Sequence, residues 1–185
     1  MTSEYSTELS VLLIEDQPAE VDYIREILSQ VKSCRFSITH RDRLKDGLDL
    51  LEQIHVDVLL LDLCLPDSTG YVTFQDAHKA FPAVPIILIT NINDENLAVR
   101  AVREGAQDYL IKRKMDSELL SRSIQYAIER QNAEEALRIS EERYSLAVRG
   151  ANDGIWDWDL SRGDVYYSDR WQSILGFNED LPTNI

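Results

Sequence analysis

From residue 10 to about residue 130, short apolar runs alternate with amphipathic stretches, and no other feature constrains the fold as tightly. Strands separated by helix-length segments return to one sheet in the same direction, so the pattern predicts a parallel sheet covered by helices. "SVLLIED", "RFSITH", "VDVLLLD", "VPIILIT" and "DYLIK" read as its five strands. The third and fourth are apolar at successive positions, as strands covered on both faces are, whereas "RFSITH" alternates as an edge strand should. Between the first two, "QPAEVDYIREILSQV" has Pro18 in the first helical turn, where a missing N–H costs nothing, and Val21, Ile24, Leu28 and Val31 on one face. Further helices are expected through Leu44, Leu48 and Leu51, over "YVTFQDAHKAF", and around "ENLAVRAVREG" with Gly105 as its stop.

Composition sets outer limits. The 185 residues, 44% of them hydrophobic, suffice for one ordinary domain plus part of another. Lys and Arg total 19 against 33 Asp and Glu, and a balance of −14 argues against a direct grip on nucleic-acid phosphates. The longest apolar runs fall short of the roughly 20 residues a membrane-spanning helix requires. The start, "MTSEYSTELS", has no charged-then-apolar leader, so a soluble, cytoplasmic protein is expected. Cys34 and Cys64 lack the spacing of a disulfide framework or zinc site and read as reduced thiols.

Beyond Asp116 the text changes. "SELLSRSIQYAIERQNAEEALRISEERYSLAVRG" runs without proline or glycine until Gly150. Its first part has an apolar stripe, Leu120, Ile124, Ala127 and Ile128, able to pack on the sheet as a fifth helix. Past Arg130 the stripe thins to a weak heptad of Ala133, Leu137, Ser140, Tyr144, Ala147 and Ala151, read as a connector: a two-stranded coil, with a solvated single helix as the alternative. After Gly150 come all three tryptophans, and an "SRGD" turn lies between two alternating segments: a hairpin and then a short helix. Such pieces do not enclose a core alone.

In a parallel sheet all strands point one way, so the residues ending them gather along one edge, where open α/β folds bind ligands. Those ends are Glu15 and Asp16, Asp62, Thr90 and Lys112. Carboxylates with no histidine or thiol among them are hard oxygen ligands of the kind Mg²⁺ selects. Asp62 is then a candidate nucleophile for an aspartyl phosphate, with the Thr90 hydroxyl and Lys112 ammonium pairing with phosphoryl oxygens. His40, His55 and His78 stand singly and read as structural or surface residues.

The acidic pair, "LLLDLCLPDSTG", "PIILIT" ending at Thr90 and "GAQDYLIK" ending at Lys112 together resemble the receiver domain of two-component response regulators, over residues 9–130. The resemblance implies a doubly wound, flavodoxin-like five-stranded sheet in order 2-1-3-4-5. It implies that Asp62 accepts a phosphoryl group from a phosphohistidine on a sensor histidine kinase or phosphotransfer protein. Asp16 and Asp62 would bind Mg²⁺, with Glu15 helping through water and the backbone carbonyl of Cys64 as a further ligand. Thr90 and Lys112 would bind the phosphoryl group, and Tyr109 would turn as the face made by helix four, strand five and helix five changes. Two residues depart from the family pattern: Asn91 follows the switch hydroxyl, where a small residue is usual, and could modulate the site by positioning water; Arg113 stands where proline is common.

The tail, "ERYSLAVRGANDGIWDWDLSRGDVYYSDRWQSILGF", resembles the opening of a PAS sensor domain. The expected organisation is thus a receiver over 9–130, a helical linker over 131–149 and the start of a PAS domain over 150–185, with Trp156, Trp158, Trp171 and Phe177 partly exposed for want of later strands. A homodimer is expected through helix five and the linker or through the switch face. The receiver is not itself read as an enzyme, and any output activity is expected beyond residue 185. A haloacid dehalogenase-type phosphohydrolase would need a second Asp where Cys64 stands, and a nucleotide-binding loop would need clustered glycines that are missing. The remaining alternative is a degenerate receiver acting as a phosphorylation-independent interaction module.

Overall fold

The computed structural model describes residues 8–91, 94–151 and 153–176. The side chains of Glu95, Arg149, Gly150 and Ala151, and all of Phe177, lie outside the described residues. Two compact units divide the chain, Met1–Ala133 and Glu134–Ile185. The first contains β1 (Glu8–Ile14), α1 (Pro18–Ser29), β2 (Arg35–Arg41), α2 (Leu44–Leu51), β3 (Val58–Asp62), α3 (Tyr71–Ala80), β4 (Ile86–Thr90), α4 (Glu95–Arg103), β5 (Asp108–Ile111) and a 3₁₀ turn (Lys112–Lys114). The helix α5 runs unbroken from Ser117 to Ala151 and passes from the first unit into the second. The second unit adds β6 (Trp156–Asp159), β7 (Asp164–Tyr167) and α6 (Asp169–Leu175).

The expected flavodoxin-like order is observed: β2-β1-β3-β4-β5, every pair parallel. The period of two sends alternate residues of the central strands to opposite faces. Val11, Leu13, Val58, Leu60, Ile87 and Ile89 pack with Ile24 of α1 and Leu120 and Ile124 of α5. Leu12, Ile14, Leu59, Leu61 and Leu88 pack on the other side with Leu44 of α2 and Phe74 of α3. This is why "VLLL" and "IILI" are apolar throughout, and each leucine so buried contributes about 1.5–3 kcal/mol.

Helix ends follow local chemistry. Asp94 caps α4 by accepting from the N–H groups of Asn96 (2.9 Å) and Leu97 (3.1 Å), and Asp116 accepts from that of Leu119 (2.8 Å) at the start of α5. Gly105 ends α4 at φ 111°, and a Cβ there would lie 2.7 Å from the His78 ring, so only glycine fits the turn. The apolar face expected on α1 is shorter than its periodicity suggests: the helix stops at Ser29, whose hydroxyl turns back to the Glu26 carbonyl at 2.6 Å. Val31 therefore falls outside it, and Ile27 fills the buried place.

In the second unit the "SRGD" segment makes the expected antiparallel hairpin, pairing Trp156 with Tyr167 and Trp158 with Val165. Ser168 caps α6 through the Trp171 N–H (3.3 Å) and also accepts from the N–H of Ile155 (2.9 Å). No helix among the described residues is long and apolar enough to cross a membrane.

Candidate functional site

The parallel topology determines which side chains meet. β1 and β3 pair Ile14 with Leu61, so the residues that follow, Glu15 and Asp16 on one strand and Asp62 on the other, leave the sheet side by side. Their carboxylates approach within 4.8 Å of one another. β4 aligns Ile89 with Asp62, which sets Thr90, fully buried, one step past the carboxylate. β5 aligns Ile111 with Thr90 and so delivers Lys112 at the same edge.

The Lys112 ammonium is the electrostatic centre of the cluster. Its Nζ donates to Asp62 Oδ2 at 3.0 Å and forms an ion pair with Glu15 Oε2 at 2.5 Å, all three side chains being at most 2% exposed. The contact to Glu15 is close but poorly directed, and Oε2 lacks a donor in hydrogen-bonding geometry. Asp16 Oδ1 and Asp62 Oδ1 are likewise buried with no hydrogen-bond partner. Three carboxylates thus converge at an edge whose one ammonium pairs with two of them, and buried oxygens of this kind are costly unless something else satisfies them.

Protonation equilibria respond accordingly. Burial pushes the Asp62 carboxyl above its ordinary pKa against the pull of the Lys112 charge. Glu15 rises for the same reason, and the neighbouring Asp62 charge adds to the effect. Burial pulls the Lys112 ammonium down, but its two carboxylate partners outweigh that and hold it above the ordinary lysine value. Lys112 accordingly stays charged while the carboxylates are short of positive charge.

The donor set suits a hard divalent cation. Glu15, Asp16 and Asp62 offer only oxygens, and each has an oxygen without a directed donor, which Mg²⁺ with its retained waters could satisfy. The backbone around Cys64 is held by a bridge to Thr69, by the Gly70 N–H on the Leu63 carbonyl (2.6 Å) and by the Leu65 N–H on that of Ser68 (2.9 Å); the Cys64 side chain is exposed. Asn91 is exposed just past β4. Tyr109 is half-buried against the core on the α2–α4 side, and burial raises its phenol.

Contacts that periodicity does not reveal fasten this edge. Asp67, in the "LPDSTG" loop, accepts from the N–H groups of Leu44 (3.0 Å) and Lys45 (2.9 Å), so the loop after β3 caps α2 across 23 residues of sequence. Those two donors outweigh the cost of its partial desolvation and lower its pKa. An aspartate in a Ser/Thr/Gly-containing loop signals a cap or turn, but nothing local indicates which helix it serves. His40 meets the Glu15 carbonyl at 2.7 Å. Arg100 of α4 lies 3.9 Å over the Tyr71 ring and donates to Glu104 at 3.1 Å, joining α3 to α4.

Among curated proteins the chain is similar to the cell cycle response regulator CtrA of Brucella ovis, 33% identical over 114 residues. That alignment takes in 62% of this chain and 48% of the relative, so the chain spans about half the length of the curated relatives it matches. Among solved structures it resembles a CheY-like response regulator receiver domain protein from Methanospirillum hungatei, at 25% identity and TM-score 0.57, covering 68% of this chain and 98% of that one. A response regulator receiver domain protein from Clostridium thermocellum shares the fold at 24% identity and TM-score 0.59, covering 68% and 98%. The family described as response regulator receiver domain matches residues 11–124, a span holding both acidic positions after β1, Asp62, Thr90 and Lys112. With that match, and the strand order and buried acidic edge that accompany it, the chain belongs to the response regulator receiver domain family.

Proposed function

We propose that residues 9–130 work as a phosphoaccepting receiver in which Asp62 takes the phosphoryl group. The observation that supports this best is the state of Asp62: 2% exposed, one oxygen on Lys112 and the other, Oδ1, buried with no partner beside Glu15 and Asp16. A carboxylate so held is oriented, and one of its oxygens is left to a group from outside. In the reaction a carboxylate oxygen of Asp62 bonds to phosphorus as the bond from phosphorus to the donor histidine nitrogen breaks, leaving an acyl phosphate. Lys112, already 3.0 Å from Asp62, pairs with phosphoryl oxygens as charge spreads onto them, and the Thr90 hydroxyl donates to another. Asp16 and Asp62 would hold Mg²⁺, with Glu15 through water and the Cys64 carbonyl as a further ligand. When bound, Mg²⁺ supplies positive charge that offsets the clustered carboxylates and attracts the donor phosphoryl group.

Phosphorylation then draws Thr90 inward, and Tyr109 turns into the space it leaves, altering the α4–β5–α5 face. Asn91 at the rim tunes hydrolysis by positioning water. The donor is a sensor histidine kinase or phosphotransfer protein. Residues 131–149 serve as the linker, and 150–185 as the start of a PAS domain; the hairpin and α6 are consistent with that reading. Ala133, Leu137, Ser140, Tyr144 and Ala147 are all exposed along α5, which favours pairing of two chains through this helix, with the switch face as the other route to a homodimer. The protein is read as cytoplasmic, without direct contact to nucleic acid and without catalytic output of its own. A degenerate, phosphorylation-independent module is the second reading, disfavoured because Asp16, Asp62, Thr90 and Lys112 are all retained.

Acetyl phosphate with Mg²⁺ tests the proposal: intact-mass spectrometry should show one added phosphoryl group, labile to hydroxylamine and lost in Asp62→Asn. An unchanged mass in the wild type under these conditions would leave the degenerate reading standing.

A further inference from the structure

His40, expected in a structural or surface role, places its side chain at the acidic edge. Alternation along β2 puts Phe36, Ile38 and His40 on the same face of the sheet, and Phe36 and Ile38 pack against the α1–α5 core. β1 and β2 pair only as far as Ile14 with Arg41, so Glu15 and Asp16 have already left the regular strand. Two contacts hold the chain where the ladder ends. The Glu15 N–H donates to the Arg41 carbonyl at 3.0 Å, and His40 Nε2 lies 2.7 Å from the Glu15 carbonyl. A carbonyl only accepts, so the imidazole carries a proton on Nε2 and donates it.

The peptide unit held in this way is the one that joins Glu15 to Asp16. Its carbonyl is fixed by His40, and its rotation would swing both carboxylates, each of which has a buried oxygen with no hydrogen-bond partner. His40 and Asp16 also border one open recess with Asp22 and Arg25 of α1. We infer that His40 is a positioning residue for the acidic pair, orienting the Glu15–Asp16 peptide so that the two carboxylates converge on one divalent cation. This inference rests on the receiver reading of the same site and adds to it a residue from the edge strand that contributes no ligand. Strength comes from geometry: a single neutral hydrogen bond shifts an equilibrium by about five- to tenfold.

The test uses the full chain and Mg²⁺ alone as probe, titrated while the backbone amides of Glu15, Asp16 and Gln17 are followed by NMR. His40→Phe keeps a ring and removes the donor; His40→Gln restores an N–H at comparable reach. His40→Phe should bind Mg²⁺ about five- to tenfold more weakly, His40→Gln should return to near the wild-type affinity, and all three should form the same beryllofluoride complex at saturating Mg²⁺. Equal affinity in His40→Phe and wild type would overturn the inference, as would equal weakening in both variants with a matching fall in Tm, which is the signature of packing alone. Absence of Mg²⁺ binding in the wild type would instead refute the receiver reading, so the two failures are distinguishable.

Discussion

The strand pair β3–β4, aliphatic except at its last residues, and the strand pair β6–β7, which carries two tryptophans and two tyrosines, have opposite fates. All five residues of β3 and all five of β4 are buried, the polar Asp62 and Thr90 included. β6 is exposed at all four positions, and of β7 only Val165 is buried. Trp156 and Trp158 remain 58% and 46% exposed although their rings offer more apolar area than any leucine of β3. Burial is therefore a property of what covers a strand: β3 lies between two helical layers, whereas the hairpin, which touches the short α6 through the Tyr167–Trp171 ring contact at 4.4 Å, buries Val165 alone among its strand residues. In the first arrangement the charged end of β3 is buried on an ion-pair partner, whereas in the second the aspartates of β6 are exposed.

The contrast breaks most severely at Lys112. In metal-free buffer Lys112→Ala leaves Glu15 and Asp62 buried without their shared counter-charge, and urea unfolding should report a loss of about 3–5 kcal/mol. A loss near zero would mean that the acidic edge is open to water.

A smaller effect is expected where the loop after β3 is tied down. Asp67→Ala removes the two-donor cap on α2 and should cost about 1 kcal/mol at neutral pH. The sign with pH follows from the lowered pKa of Asp67: its contribution is fully present above the ordinary value of 3.8 and is lost as pH falls through the lower folded value. The Tm difference between wild type and variant should accordingly shrink on acidification, measured by circular dichroism at stepwise pH. The smallest effect belongs to the hairpin, where Trp158→Ser should change the unfolding of the sheet domain by no more than about 0.5 kcal/mol. A large change there would show that Trp158 is covered in solution.

These differences also explain what was legible in the sequence. The strands and the polar residues closing them follow from local pattern, and the rule that a parallel sheet gathers its strand ends along one edge brings Glu15, Asp16, Asp62, Thr90 and Lys112 together; the order of strands follows from the resemblance to the receiver family. The early end of α1 could not be read in this way, because Val31 continues the apolar period past Ser29, where the helix stops. Nor could Asp67 or His40, whose partners lie 23 and 25 residues away and are chosen by tertiary packing. The hairpin itself was readable from its turn, but which surface covers its tryptophans is not a matter of local pattern.

The proposed switch requires the buried carboxylate of Asp62 to accept a phosphoryl group and to be coupled to Thr90 and Tyr109. Amide NMR of the full chain with beryllofluoride and Mg²⁺, which together stand in for the acyl phosphate, tests it most directly. Large shifts at Asp62, Thr90 and Tyr109 that disappear in Asp62→Asn are the predicted result. Spectra unchanged by the additives, or changed equally in the Asp62→Asn variant, would contradict it.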